Sequence, residues 1–438
     1  MNETHDPARG TWVESARGPG DFPIQNLPFG VFRRRGDKDE PASVGIAIGK
    51  EILDVTGCHD EGRFTGLAEK AAEACAAPSL NALMALGREH RVELRRQVSA
   101  LLAEDSPAYR ANKRLGDRIL VAMLDAEMMV PAAIGDYTDF YASVHHATNV
   151  GTMLRPENPL FPNYKWIPIG YHGRSSSIVP SGTRVRRPRG QIKIQGATDP
   201  VYGPSRSLDY EMEVGCFVAA ENPIGQPVPI ARAEEHIFGL CLLNDWSARD
   251  VQSWEYQPLG PFLSKSFATT VSPWVVTLEA LEPFRVPASG RPEGDPAPLP
   301  YLTDEGDRAH GGVDMIVEVY LATAQMRARG IPPERLSRGR VADLYWTFGQ
   351  MLAHHTSGGC PLRPGDLFGS GTVSGPERGA RGCLLELTWR GAEPLALPSG
   401  ETRTFLEDGD EVIMRGRCER AGLTTIGFGE CRGIVAPA

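Results

Sequence analysis

The run Ile237 to Leu243, reading IFGLCLL and closed by Asn244-Asp245, constrains the fold more than any other stretch of this chain. A short, uniformly apolar run bounded by turn residues suits a strand buried on both faces, so the rest of the chain must supply cover above and below it. Downstream, Asp245, Arg249, Gln252 and Tyr256 fall at i, i+4, i+7 and i+11, which is one face of a helix. Leu259-Gly260-Pro261 then breaks the chain before Lys265 appears in Phe262 to Phe267. A carboxylate, a guanidinium, an amide, a phenol and an ammonium gathered near a strand end suit a polar active site. A solvated helix face with an ordinary Asp–Arg pair is the other reading of the same residues.

Bulk properties narrow the class. A chain of 438 residues can hold two or three domains and a sizeable core. Hydrophobic residues at 41% and charged residues at 23% are those of a globular protein. A net charge of −9 with no long basic run argues against a nucleic-acid partner. The start, MNETHDPARG, lacks the basic and apolar regions of a signal peptide. No uninterrupted apolar stretch reaches the roughly 18 residues of a membrane span. Eight dispersed cysteines without a C-x-x-C pair read as reduced thiols, and the expected location is the cytosol.

In chain order, Phe22 to Phe32 is apolar enough to pack against something, and Val44 to Val55 suits a hairpin turning at Gly49-Lys50. Pro78-Ser79 opens a helical region running to about Glu104, with Ser79 as its expected N-cap. Within it Leu94, Val98, Leu101 and Leu102 form an amphipathic stripe. Beyond Pro131 short strand-like runs alternate with Gly/Pro turns. The expected fold is therefore mainly β, divided into a small module over 1–125 and a larger unit over 126–438. Pro283 to Pro300 reads as a surface loop.

Three further segments carry chemistry. In Asp136 to Arg155, a helix beginning after Asp139 would put Asp139 and His146 on one face about 10.5 Å apart, flanking a small substrate. Asp139 as an N-cap and His146 as a hydrogen-bonded packing residue are the plainer alternatives to a ligand and a general base. In Ser207 to Val218, Asp209, Glu211 and Glu213 alternate with larger apolar residues, a strand with one acidic face. A wet face is the commoner arrangement for such a strand. Carboxylates on one pleat face repel unless a cation or solvent separates them, however, and all-oxygen donors from Asp139, Glu211, Glu213 and Asp245 suit Mg²⁺ or Ca²⁺ better than zinc. Toward the C-terminus, Gly-rich Phe368 to Glu377 offers Thr372 as a hydroxyl donor. Glu386, in the strand-like run CLLELTW, is either solvated or buried beside a partner such as a catalytic histidine.

The strings DYTDFYASVHHATNVG, GYHGRSSSIV, NDWSARDVQSWEYQPLGPFLSKSFATTVSPW and LRPGDLFGSGTVSGPE resemble the fumarylacetoacetase family, almost from end to end. That resemblance implies a small SH3-like N-terminal barrel, a β-roll catalytic domain and a homodimer. It also implies hydrolysis of a carbon–carbon bond in a β-diketo acid, giving fumarate and acetoacetate in tyrosine and phenylalanine catabolism. By the same resemblance the metal ligands fall on Asp139, Glu211, Glu213 and Asp245, with Lys265 and Thr269 also associated with the cation. A protonated Lys265 has no lone pair, which places it beside the ligands and not among them. His146 falls on the general base and Glu386 on the carboxylate that orients it. Arg249, Gln252 and Lys265 fall on the group that stabilises the attacked carbonyl, and Tyr141, Arg155, Tyr171, Gln252, Tyr256 and Thr372 on substrate contacts. One departure is Val144-His145, where the family pattern has an Arg-Gln pair. Three rivals are a decarboxylase or isomerase of the same superfamily, a metal-dependent phosphoesterase, and a β-rich scaffold. Trp12 to Phe32 argues against the first, which generally lacks an N-terminal module.

Overall fold

The computed structural model describes residues 1–36, 41–194 and 196–438, and the architecture is mainly β. Near the N-terminus, Phe29–Arg34, Ser43–Ile48, Glu51–Asp54, Leu120–Ala122 and Ala126–Met128 form a five-stranded antiparallel sheet. The hairpin turns at Gly49-Lys50 as expected, Gly49 taking a φ of 58° that glycine adopts at little cost. Strand alternation divides the apolar side chains between two faces. Phe29, Val31, Val44, Ile46 and Ile48 point at a layer of helices. Phe32, Ala47, Ile52 and Val121 meet Phe22 and Trp274 on the other side.

The helical region departs from expectation. It is not one helix from Ser79 to Glu104: Asn81–Met84 and Arg88–Leu102 are separate, the second starting after Gly87 in an extended conformation. Ser79 caps neither. The longer helix does bury the expected stripe of Leu94, Val98, Leu101 and Leu102.

At the centre of the larger unit lies a second sheet. Its order is Gly170–His172, Tyr137–Phe140, Leu367–Gly369, Met212–Val218, Ile237–Asp245, Thr269–Val271 and Ile178–Pro180, with Val276–Thr277 also paired to the Ile237–Asp245 strand. Every residue of Ile237–Asp245 is buried. Leu240 and Leu242 face a third sheet built from Met315–Ala322, Glu334–Arg340, Glu411–Cys418, Ile426–Ala436 and Arg184–Arg186. Phe238, Cys241 and Leu243 face the N-terminal helices instead. The cover this strand demands thus comes from different parts of the chain on its two sides, and each fully buried Leu contributes about 1.5–3 kcal/mol.

Register then fixes the functional end of the sheet. Met212 pairs with Asn244, Asp245 with Thr269, Gly369 with Asp139, and Asp139 with Tyr171. Side chains far apart in sequence are brought to one sheet end by these pairings alone.

Candidate active site

Carboxylate oxygens from Asp139, Glu211, Glu213 and Asp245 lie within 4.8 Å of one another, and all four residues are buried. Asp139 sits on the strand Tyr137–Phe140, so the expected helix around it is absent and it caps nothing. Ser143 is the N-cap instead, its hydroxyl accepting from the backbone N–H of His146 at 3.2 Å, and the helix is Val144–Leu154. The wet acidic face is also overturned. Asp209 and Glu213 are fully buried and Glu211 nearly so, and the single strand expected over Ser207 to Val218 is two: Leu208–Asp209, paired with Ser247–Ala248, and Met212–Val218 in the second sheet.

Charge is strongly unbalanced within this cluster. Burial, then the neighbouring Asp245 charge, pushes Asp139 well above the usual carboxylate range; burial, then Asp139, does the same to Glu213. Burial also raises Asp245, although Lys265 opposes it. Glu211 is the exception: burial pushes it up, but Lys265 and Arg249 outweigh that and hold it low. The Lys265 ammonium lies 2.5 Å from both Glu211 and Asp245, and Arg249 Nη1 lies 2.7 Å from Glu211 Oε1. Thr269 Oγ1 donates to Asp245 Oδ1 at 3.1 Å, and Tyr171 OH donates to Asp245 Oδ2 at 3.2 Å.

His146 projects from the first turn of its helix toward Glu386, with Nδ1 2.7 Å from Glu386 Oε2. Glu386 is completely buried. It lies on a helical turn, Leu384–Leu387, where a strand was expected. Ser374 Oγ at 2.8 Å and Cys383 Sγ at 3.2 Å also donate to Oε2, and Asn149 Nδ2 donates to Oε1 at 2.8 Å. Burial raises this carboxyl, but His146, Asn149 and Cys383 more than offset it and bring it down to about 2. The Tyr141 ring stands edge-on to the His146 ring at 5.3 Å.

Residues 136–436 match the family described as Fumarylacetoacetate (FAA) hydrolase C-terminal, and residues 25–131 the one described as Fumarylacetoacetase N-terminal. A fumarylacetoacetase of Caenorhabditis elegans is 52% identical over 422 residues, covering 95% of this chain and 97% of its own length. One of Homo sapiens is 48% identical over 420 residues, with the same coverage of both chains. The chain belongs to the fumarylacetoacetase family. At the level of fold alone, it resembles the solved fumarylacetoacetate hydrolase from psychrophilic Exiguobacterium antarcticum. That likeness has a TM-score of 0.51 at 16% identity and covers 94% of this chain and 100% of the other.

The fumarylacetoacetase family is metal-dependent, and the residues present fit a hard divalent cation. The donors are all oxygen, and they come from four carboxylates whose close cations among the described residues are Lys265 and Arg249. Asp139 Oδ1 and Glu213 Oε1 are buried without a hydrogen-bond partner among the described residues. A Cβ on Gly369 would stand 2.7 Å from Asp139 Oδ1 and 2.8 Å from Glu213 Oε2, so only glycine leaves these oxygens room.

Not every expected residue meets here. Gln252 Oε1 accepts from Arg249 Nη1 at 3.1 Å on the short helix Arg249–Glu255, which Tyr256 ends as C-cap. Asp245 precedes that helix on the strand, so the expected four-residue helical face begins at Arg249. Thr372 is buried near the cluster's glycine-rich strand end, its hydroxyl without a partner among the described residues. Arg155 ends the His146 helix and turns to the Pro159 carbonyl and the Phe161 ring. Val144 packs half-buried against the core and His145 is half-buried beside it. Sequence reasoning missed Asn149, Ser374 and Cys383 as partners of Glu386. Only Asn149, three residues after His146 on one helix face, left a local signal.

Proposed function

We propose that the protein hydrolyses the carbon–carbon bond of 4-fumarylacetoacetate to fumarate and acetoacetate, with the cluster of Asp139, Glu211, Glu213 and Asp245 holding Mg²⁺ or Ca²⁺. The observation that carries this reading is a buried histidine–carboxylate pair whose His146 is close enough to Glu211 of the buried four-carboxylate cluster to help lower its carboxyl, in a chain about half identical to named fumarylacetoacetases over 95% of its length. When bound, the cation supplies Lewis acidity toward the oxygens of a β-diketone.

The protein's own groups do the rest. With Nδ1 donating to the ionised Glu386, His146 has Nε2 free to take a proton from water. The hydroxide adds to a ketone carbon. Arg249 Nη2, buried with no partner among the described residues, is a donor for the alkoxide that forms, assisted by Gln252 and Lys265. Collapse of the alkoxide breaks the carbon–carbon bond, and the proton held on His146 returns to the leaving carbon. Tyr141, Tyr171, Tyr256, Thr372 and Arg155 contribute the hydroxyls and guanidinium for the substrate's oxygens, Arg155 after swinging from Phe161. The same proposal places an SH3-like module over 1–125 and the catalytic unit over 126–438, with Ala126–Met128 pairing back to Phe29–Arg34. It also includes a homodimer working in the cytosol.

His146→Ala is the test of the site. Cleavage should fall by at least about 100-fold while Mg²⁺ still raises the melting temperature. Turnover at the wild-type rate would remove His146 from the mechanism.

A further inference from the structure

Asp209 is fully buried, stands outside the carboxylate cluster, and has no part in the chemistry above. Its contacts nevertheless reach both halves of the site. Oδ2 accepts from Arg249 Nε at 2.9 Å. Oδ1 accepts from the backbone N–H of Leu384 at 2.8 Å, and Oδ2 from that of Leu385 at 3.0 Å. Those N–H groups open the helical turn that carries Glu386. One carboxylate therefore ties the guanidinium beside Glu211 to the segment that aims the His146–Glu386 pair.

The same contacts decide which edge of Arg249 is left over. Asp209 takes Nε, Glu211 and Gln252 take Nη1, and Nη2 alone is buried without a partner among the described residues. A guanidinium held at two of its nitrogens presents the third in a fixed direction. We propose that Asp209 is a positioning residue: it orients Arg249 so that Nη2 faces the substrate oxygen, and fixes the Glu386 turn at a set distance from that donor. This rests on the hydrolase reading above. An ordinary buried ion pair would account for the Arg249 contact alone. It would not account for the two N–H bonds to a turn 175 residues further along the chain.

The test uses full-length protein with Mg²⁺ and the isosteric variant Asp209→Asn, whose amide nitrogen cannot accept. Steady-state turnover of fumarylacetoacetate is measured alongside the downfield proton resonance of His146 Nδ1–H, assigned by its loss in His146→Ala. Asp209 touches neither His146 nor Glu386 through its side chain, so that resonance reports positioning. The expected result is a kcat about 100-fold lower with KM within about threefold of wild type, and a shifted or broadened resonance. A folded variant with wild-type kcat, or one with an unmoved resonance, overturns the proposal. Where Asp209→Asn strands the buried guanidinium and does not fold, Arg249→Met with Asp209→Asn is compared with Arg249→Met alone. The resonance should still move between those two, and identical spectra overturn the proposal. Wild-type protein that leaves the substrate intact would sink the hydrolase reading, while the resonance still reports on Asp209.

Discussion

At the scale of single residues, the site is a problem of like charges held apart in a dry sheet end. Gly369 shows how little slack there is, and Gly369→Ala should push Asp139 and Glu213 apart. We expect Mg²⁺ affinity, read by thermal shift, to weaken by about 10–100-fold; unchanged affinity would mean that those oxygens do not hold the cation. Glu386 gives a pH prediction. Its carboxyl falls from an ordinary 4.5 to about 2 in the folded state. A depressed carboxyl stabilises the fold fully above the unfolded value, and that contribution fades as pH drops from about 4.5 toward about 2. Glu386→Gln should lose this part of the acid-side slope in melting temperature, and should lower kcat by about 100-fold at neutral pH. Local spacing left Asp139 open as an N-cap and favoured a wet face for Glu211 and Glu213; it was the family resemblance that singled out these residues with Asp245 and Glu386, and the structure brings the four carboxylates together. Ser374, Cys383 and the role of Asp209 were not legible in the sequence, since their partners are set by tertiary approach and not by local spacing.

Elements decide where those residues point. His146 is aimed by a helix that Ser143 caps, and Ser143 Oγ also donates to the Ser374 carbonyl at 2.9 Å. Ser143→Ala should therefore lower stability by about 1 kcal/mol, read by urea denaturation, and lower activity more than a distant cap loss of equal size. Equal effects would show that the cap serves stability only. The sequence misassigned two elements here for one physical reason. Asp139 lies in a strand because Tyr137–Phe140 pairs in parallel with Leu367–Gly369, a contact no local window contains. CLLELTW forms a helical turn whose first N–H groups are taken by Asp209, also distant in sequence. Short apolar runs do not distinguish helix from strand by periodicity, whereas the longer Arg88–Leu102 stripe did.

For the whole molecule, the strand Ile237–Asp245 announced that it needs cover, but not which segments would provide it. The N-terminal unit turns out to bury Phe238, Cys241, Leu243, Phe217 and Leu367 on one face of the catalytic sheet. Deleting residues 1–125 should expose that face and give protein that aggregates on expression; a soluble, monodisperse fragment would contradict this account. No helix among the described residues is long and apolar enough to cross a membrane. The most direct measurement of the central claim is the decay of fumarylacetoacetate absorbance on adding purified protein, with and without EDTA. Decay should yield fumarate and acetoacetate, stop with EDTA and resume with excess Mg²⁺ or Ca²⁺. Intact substrate in the presence of either cation would contradict that claim.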